Sequence, residues 1–239
     1  YTDMGFVQRI NNYDADRDTV IRLGFKQVFN NFGYKLFPKK GKVNQHSLGL
    51  TNFLVFNPDN SLNERSHELE YQMQFKNTGF LFVTGSVNET NLLFATPFTD
   101  EKPIPKGNYK YNQYGFGYRS DFRKAVNIMV RLNGGGFYNG NYQGISTTIN
   151  LRKQPHLNVA LQLNYNRLQF PEGYGSDQLF LIAPRIEYNF NTKLFWTTFL
   201  QYNTQRNNFN INSRLQYRYK PMSDFYLVYT DNYFTDPLF

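Results

Sequence analysis

An all-β fold, specifically an antiparallel transmembrane β-barrel, is predicted by three observations: long strands of unbroken alternation, a polar second face on almost every strand, and connections that alternate between short and long. The stretch from His156 to Phe170 is the clearest. Leu157, Val159, Leu161, Leu163 and Tyr165 share one parity, while Asn158, Ala160, Gln162, Asn164 and Asn166 share the other. Successive side chains of a strand point to opposite faces, so one face is oily and the other is rich in carboxamides. Its length is the telling feature. Roughly ten residues of alternation exceeds the ~5–6 of an ordinary soluble strand and matches the ~9–11 that a tilted strand needs to cross a bilayer.

Twelve strands in all are expected, near 26–37, 43–56, 64–76, 79–89, 108–119, 123–136, 142–153, 156–168, 178–190, 193–204, 208–220 and 224–231. In the third, Leu69, Tyr71, Met73 and Phe75 oppose Glu68, Glu70, Gln72 and Gln74; in the sixth, Val126, Ile128, Val130 and Leu132 oppose Asn127, Met129, Arg131 and Asn133. A sheet buried on both faces would read as continuous apolar runs, which these strands do not. Before residue 26, the segment Asn11-Asn12-Tyr13-Asp14-Ala15-Asp16-Arg17-Asp18 reads as a polar loop. Pro184 interrupts an otherwise regular strand, and a β-bulge is expected there because proline cannot donate to a ladder.

Turn-forming residues set the topology. Pro38 to Lys42, Lys76 to Thr78, Arg119 to Phe122, Gln154-Pro155, Asn191-Thr192 and Lys220 to Ser223 are short, and they fall at every second junction. Between them lie longer connections, including Thr90 to Gly107 with its three prolines. Short periplasmic turns alternating with longer extracellular loops is the outer-membrane pattern. Residues 1–25 and 232–239 are then expected to be extracellular loops. Closure is expected to need a further strand beyond each end, giving at least 14 in the complete barrel, so the chain reads as a piece of a longer polypeptide.

Composition narrows the function classes. The 239 residues read as one domain, and the longest apolar run is five residues, which excludes a transmembrane helix but not a barrel. There is no cysteine, hence no disulfide or thiolate chemistry. The start at Tyr1 lacks the charged and apolar regions of an export signal, so an exported chain would begin here either as mature protein or within a longer one. A net charge of +8 is spread over turns and polar faces without a basic run, which speaks against nucleic acid as a partner.

Several segments resemble one Bacteroidota outer-membrane family, a large barrel of unassigned function preceded by a domain like the family 9 carbohydrate-binding modules. They are Met4 to Arg9, Gly33 to Lys39, Gly135 to Gly140, Leu194 to Phe199, Ser213 to Tyr219 and Ser223 to Tyr229. The resemblance implies a Gram-negative outer membrane and an exported parent protein, and it supplies no catalytic residues. The carbohydrate-binding-like domain and a final aromatic-ended strand are both absent from this sequence.

Candidate site residues follow from parity. Glu68, Glu70, Arg131, Asn164, Arg185, Glu187, Arg214 and Arg218 are expected to face a lumen, whereas Leu157, Val159, Leu161, Leu163 and Trp196 are expected to face lipid. Acidic Glu68 and Glu70 against Arg131, Arg152, Arg214 and Arg218 would either set up a transverse field in an open pore or pair within a plugged one. Tyr109, Tyr111, Tyr114, Tyr138, Tyr142, Tyr165, Trp196, Tyr202 and Tyr229 read as aromatic girdles rather than a sugar-stacking surface. His46, His67 and His156 are too scattered to suggest a metal or acid/base centre, and neither Gly144 to Thr148 nor Thr84 to Ser86 has nucleophile-elbow spacing. Asp18-Thr19-Val20 resembles a short O-glycan acceptor of Bacteroidota in a loop position.

No metal or cofactor is expected. Lipid, lipopolysaccharide and other outer-membrane or surface proteins are the expected partners. Function is read first as a structural or accessory subunit of an outer-membrane assembly. A passive channel or uptake barrel for small polar solutes or glycans comes second, and an envelope hydrolase third. The structural rival is a soluble β-sandwich or lipocalin-like barrel with its leucines inside.

Overall fold

The structure, a computed structural model, describes residues 11–205 and 207–235. Among the described residues fourteen strands follow one another: β1 (Asn11–Asp14), β2 (Thr19–Arg22), β3 (Lys26–Leu36), β4 (Val43–Phe56), β5 (Leu62–Phe75), β6 (Phe80–Leu92), β7 (Gly107–Arg119), β8 (Val126–Phe137), β9 (Gly140–Lys153), β10 (Leu157–Gln169), β11 (Ser176–Asn189), β12 (Leu194–Asn203), β13 (Asn208–Lys220) and β14 (Ser223–Phe234). From β3 to β14 each strand pairs with its sequence neighbours, making one twelve-stranded antiparallel meander. The sheet is open. β3 and β14 are its two edges.

Directly opposed residues share a face, so the registers carry parity from strand to strand. Starting from Leu161, the rungs pass to Ile149 and Ile128 on one side and to Pro184 on the other. Starting from Asn164, they reach Ser146 and Arg131. Apart from one-residue shifts at strand ends, between β4 and β5 and between β13 and β14, no register exchanges the two sets, and the result is one continuous apolar face backed by one polar face.

The direction of curl follows from crowding. On the polar face of β7, Gly115 and Gly117 are buried, and a Cβ added to Gly117 would lie 2.0 Å from the ring of Phe82 directly opposite. Asn127 and Ala183, also on this face, are buried, whereas Leu69, Val87, Phe116 and Leu132 on the apolar face are exposed. The polar face is therefore the concave one.

Three expectations are corrected. Residues 11–22 are not a loop but the hairpin β1–β2, with Tyr13 opposite Val20 and Ala15 N–H donating to Ala95 O across 3.1 Å. Four-residue strands with polar sequence lack the alternation that betrays longer ones. Asp18-Thr19-Val20 accordingly sits in the hairpin turn and β2, with Asp18 Oδ1 accepting from Tyr13 Oη at 2.8 Å. Pro184 produces no bulge: pairing to β12 is interrupted at Ala183 and Pro184 and resumes in the same register at Arg185, while pairing to β10 is unbroken. Register shifts fall instead between β4 and β5 and between β13 and β14. At the chain's end, residues 232–234 belong to β14 rather than to a loop. Residues 1–10 and 236–239 lie outside the described residues.

At the short-turn end, Asp121 ties two turns together. Its Oδ1 accepts from Thr78 Oγ1 at 3.0 Å, from Arg123 N at 3.0 Å and from Arg123 Nε at 2.9 Å, while Oδ2 accepts from Arg123 Nη2 at 2.9 Å. These donors, led by the Arg123 side chain, hold the carboxyl well below the usual carboxylate range. A depressed carboxyl contributes stability that is complete above the unfolded value, about pH 4, and is lost as pH falls from there toward the folded one. Asp121→Ala is expected to lower the protection of the Arg123 amide, its exchange relative to the unstructured amide at the same pH, and acidification from about pH 4 toward the folded value to lower it in the native chain; protection unchanged in the variant would show the clasp to be idle.

Candidate functional site on the polar face

Glu68, Glu70, Arg131, Asn164, Arg185, Glu187, Arg214 and Arg218 all lie on the concave polar face, and Leu157, Val159, Leu161, Leu163 and Trp196 all lie on the apolar one. Trp196 opposes Tyr188 and Leu215, and its Nε1–H is satisfied by Ser213 Oγ at 3.0 Å. An indole with its one donor paired is compatible with an apolar surrounding.

The polar face is knitted by amides and hydroxyls. Ser146 Oγ donates to Asn164 Oδ1, Tyr142 Oη donates to Asn166 Oδ1 at 2.9 Å, and Asn150 Nδ2 donates to Asn127 Oδ1 at 3.0 Å. Charges fall into separate sectors. Arg185 pairs with Glu187 at 2.7 Å, and Glu187 also accepts from Asn158 Nδ2 at 2.9 Å. Arg218 Nε donates to Asp224 at 3.0 Å, while Arg131 lies 5.1 Å over the Phe82 ring and Arg214 5.7 Å over that of Tyr226.

Glu68 and Glu70, on β5, are three strands from Arg131, on the order of 14 Å along the sheet at ~4.8 Å per strand. Among the described residues no ion pair joins these two glutamates to an arginine. The acidic and basic sectors therefore stay distinct, and most of their members are held by neighbours on their own sector.

The long connection between β6 and β7 folds onto this face. Ala95 and Ile104 are buried within it, Thr96 and Ile104 form an isolated bridge, and Thr99 Oγ1 donates to Tyr174 O at 2.6 Å in the β10–β11 connection. Phe98 sits 5.2 Å from the Phe137 ring, 4.9 Å from Tyr138 and 6.0 Å from Phe170. Tyr109 and Tyr111 complete the cluster against Tyr138 at 5.6 and 5.7 Å. Beneath lies a cavity of about 430 Å³ lined by Gln113, Phe137, Tyr142, Asn166, Leu168 and Leu179 among others.

The girdle expectation is corrected for part of its set. Tyr109, Tyr111 and Tyr142 stand on the polar face and Tyr138 in the adjoining turn, where they build the loop cap and cavity wall; Tyr114, Tyr165, Trp196, Tyr202 and Tyr229 stand on the apolar face. Strand parity distinguishes these groups, since Tyr111 opposes Asn88 whereas Tyr114 opposes Gly85 on the apolar side. The loop cap itself left no local signal, because its contacts join residues as distant as Phe98 and Phe170.

The histidines remain apart. His46 Nδ1 lies 2.7 Å from Tyr71 Oη, His67 Nδ1 lies 2.6 Å from Asn52 Oδ1, and His156 Nδ1 lies 2.9 Å from Asn189 O. Among the described residues, no group of three or more His, Cys, Asp and Glu side chains forms a metal-binding arrangement. No known protein family, curated protein or solved structure matches the chain in comparison.

Proposed function

We propose that the chain is an integral β-barrel of a Gram-negative outer membrane and serves as a structural or accessory subunit of an outer-membrane protein assembly. The observation that carries this reading is the continuous apolar convex face, on which large side chains such as Val87 (61% exposed) and Leu69 (53%) stand largely uncovered. Water is a poor solvent for so extended an apolar surface, and lipid and the acyl chains of lipopolysaccharide are its natural cover. Aromatic residues toward both ends of the apolar face, Tyr188, Trp196 and Tyr217 at one and Tyr165, Phe180 and Tyr202 at the other, suit the two interfaces of a bilayer.

A structural role is favoured over transport by the loop cap, which folds between β6 and β10 over the concave face and occupies the long-loop end. The second reading is a passive path for small polar solutes, favoured by the cavity beside that cap, where Gln113, Asn166, Arg167 and Asp177 supply polar groups among apolar walls. Reconstitution of the full chain in planar bilayers separates them. The structural reading expects no regular conductance steps and a stable partner set on mild detergent extraction; uniform steps from the purified chain would replace it with the channel. A chain that stays dispersed without detergent would overturn the membrane assignment itself.

A further inference from the structure

The geometry points to β3 and β14 as each other's partner, closing the twelve strands into a barrel through a seam held at both ends by lysine–aspartate pairs. The two edges are complementary in charge. Lys26 and Lys35 are the only charged residues of β3, and Asp224 and Asp231 are the only charged residues of β14. Natural edge strands are commonly blunted by scattered charge, proline or short length. These two are 11 and 12 residues long, contain no proline, and carry opposite signs.

Orientation and parity agree with pairing. β3 runs toward the short-turn end and β14 runs away from it, so the two meet antiparallel. Lys35 lies on the polar face, opposite Ser47, and Asp224 on the same face, opposite Arg218. Lys26 and Asp231 share the apolar-face parity near the long-loop end, opposite Phe56 and Ile211. In the register that sets Lys35 directly across from Asp224, Gly33 faces Tyr226, Phe32 faces Leu227, Tyr34 faces Phe225, and Lys26 reaches Asp231 diagonally. Diagonal neighbours in a sheet are ~7–8 Å apart, within the span of a lysine. Arg218 then shares Asp224 with Lys35.

Sheet stagger selects nearly the same register independently. One row of rungs starts at Leu36, the short-turn end of β3, passes through His46, Tyr118, Leu163 and Tyr202, and arrives at Tyr233, at the opposite end of β14. Levelling the strand ends across the seam therefore offsets the row by roughly ten residues, a shear close to the strand number, and equal shear and strand number correspond to a tilt of ~36°. The seam rests on the barrel reading above but not on the membrane one, and it replaces the flanking strands that two open edges would otherwise demand.

The chain's lack of cysteine allows a direct test. In this register Asn31 opposes Val228 on the polar face, and opposed residues have Cα atoms ~4.5–5.5 Å apart, which suits a disulfide. The folded full-length double variant Asn31→Cys with Val228→Cys, mildly oxidised, is expected to lose both free thiols and remain monomeric. An equimolar mixture of the two folded single variants is expected to give no linked dimer. Adding Lys35→Asp to the double variant is expected to slow linkage severalfold, and adding Asp224→Lys as well to restore it.

Retained thiols in a folded double variant would overturn the seam, and dimers from the mixed single variants would assign each edge to a second copy. Should the first pair prevent folding, Phe29→Cys with Thr230→Cys tests the neighbouring rung of the same register. A chain that links within itself yet needs no detergent would keep the seam and discard the membrane assignment.

Discussion

Leu161→Arg is expected to destabilise the assembled barrel by about 2–4 kcal/mol, the cost of an arginine on a lipid-facing strand near the bilayer midplane. Leu161 lies within β10 on the apolar face, directly between Ile149 and Pro184. Asn164→Arg, three residues on and facing the concave side, is expected to cost far less. It forfeits the hydrogen bond from Ser146, about 1 kcal/mol, while leaving the new guanidinium among amides and water. Unfolding titrations of the two variants in detergent or lipid check the pair. Equal losses would mean that the two faces meet similar surroundings, and a larger loss for Asn164→Arg would invert the orientation and favour the soluble rival.

The second large effect concerns the backbone. Gly135 has φ +130°, a conformation that side-chain-bearing residues rarely adopt, and a Cβ there would lie 2.3 Å from Asn112 O and 2.8 Å from Gln113 Cα. It opposes Gln113, in the last rung before β7 and β8 part company on the way to the aromatic cap. Gly135→Ala therefore combines dihedral strain of about 1–3 kcal/mol with a clash against backbone that cannot swing aside. A fall in denaturation midpoint is expected, with quenching changes at Tyr111 and Tyr138, because both pack beside this turn. A variant as stable as the parent would show that the β7–β8 junction yields freely.

Alternation made most of the sheet legible. Leu157 to Asn166 fixed β10 because ten side chains in strict parity admit one pleated reading, and Glu68, Glu70, Arg131 and Arg214 fell on one face because antiparallel rungs preserve that parity across the sheet. What escaped was either too short or too distant to leave a period. The hairpin of Tyr13 and Val20 offers only two four-residue strands, and the cap depends on Phe98 meeting Phe170. Tyrosines misled for a physical reason: a phenol suits a bilayer interface, and it suits equally a polar wall where its hydroxyl reaches an amide, as Tyr142 does with Asn166. Pro184 was read as a local defect, but it sits in register because its neighbours on β10 hold the ladder that β12 releases.

A meander in which every strand pairs with the strands before and after it has a modular circumference. Each consecutive pair, with its short turn, forms a unit that enters and leaves at the same end of the sheet. Removing or inserting one such unit would leave every other rung, the sidedness of both faces and the location of the chain ends undisturbed, while the diameter would change by a fixed increment, since barrel width grows nearly in proportion to strand number. Width in this architecture is thus adjustable in whole hairpins.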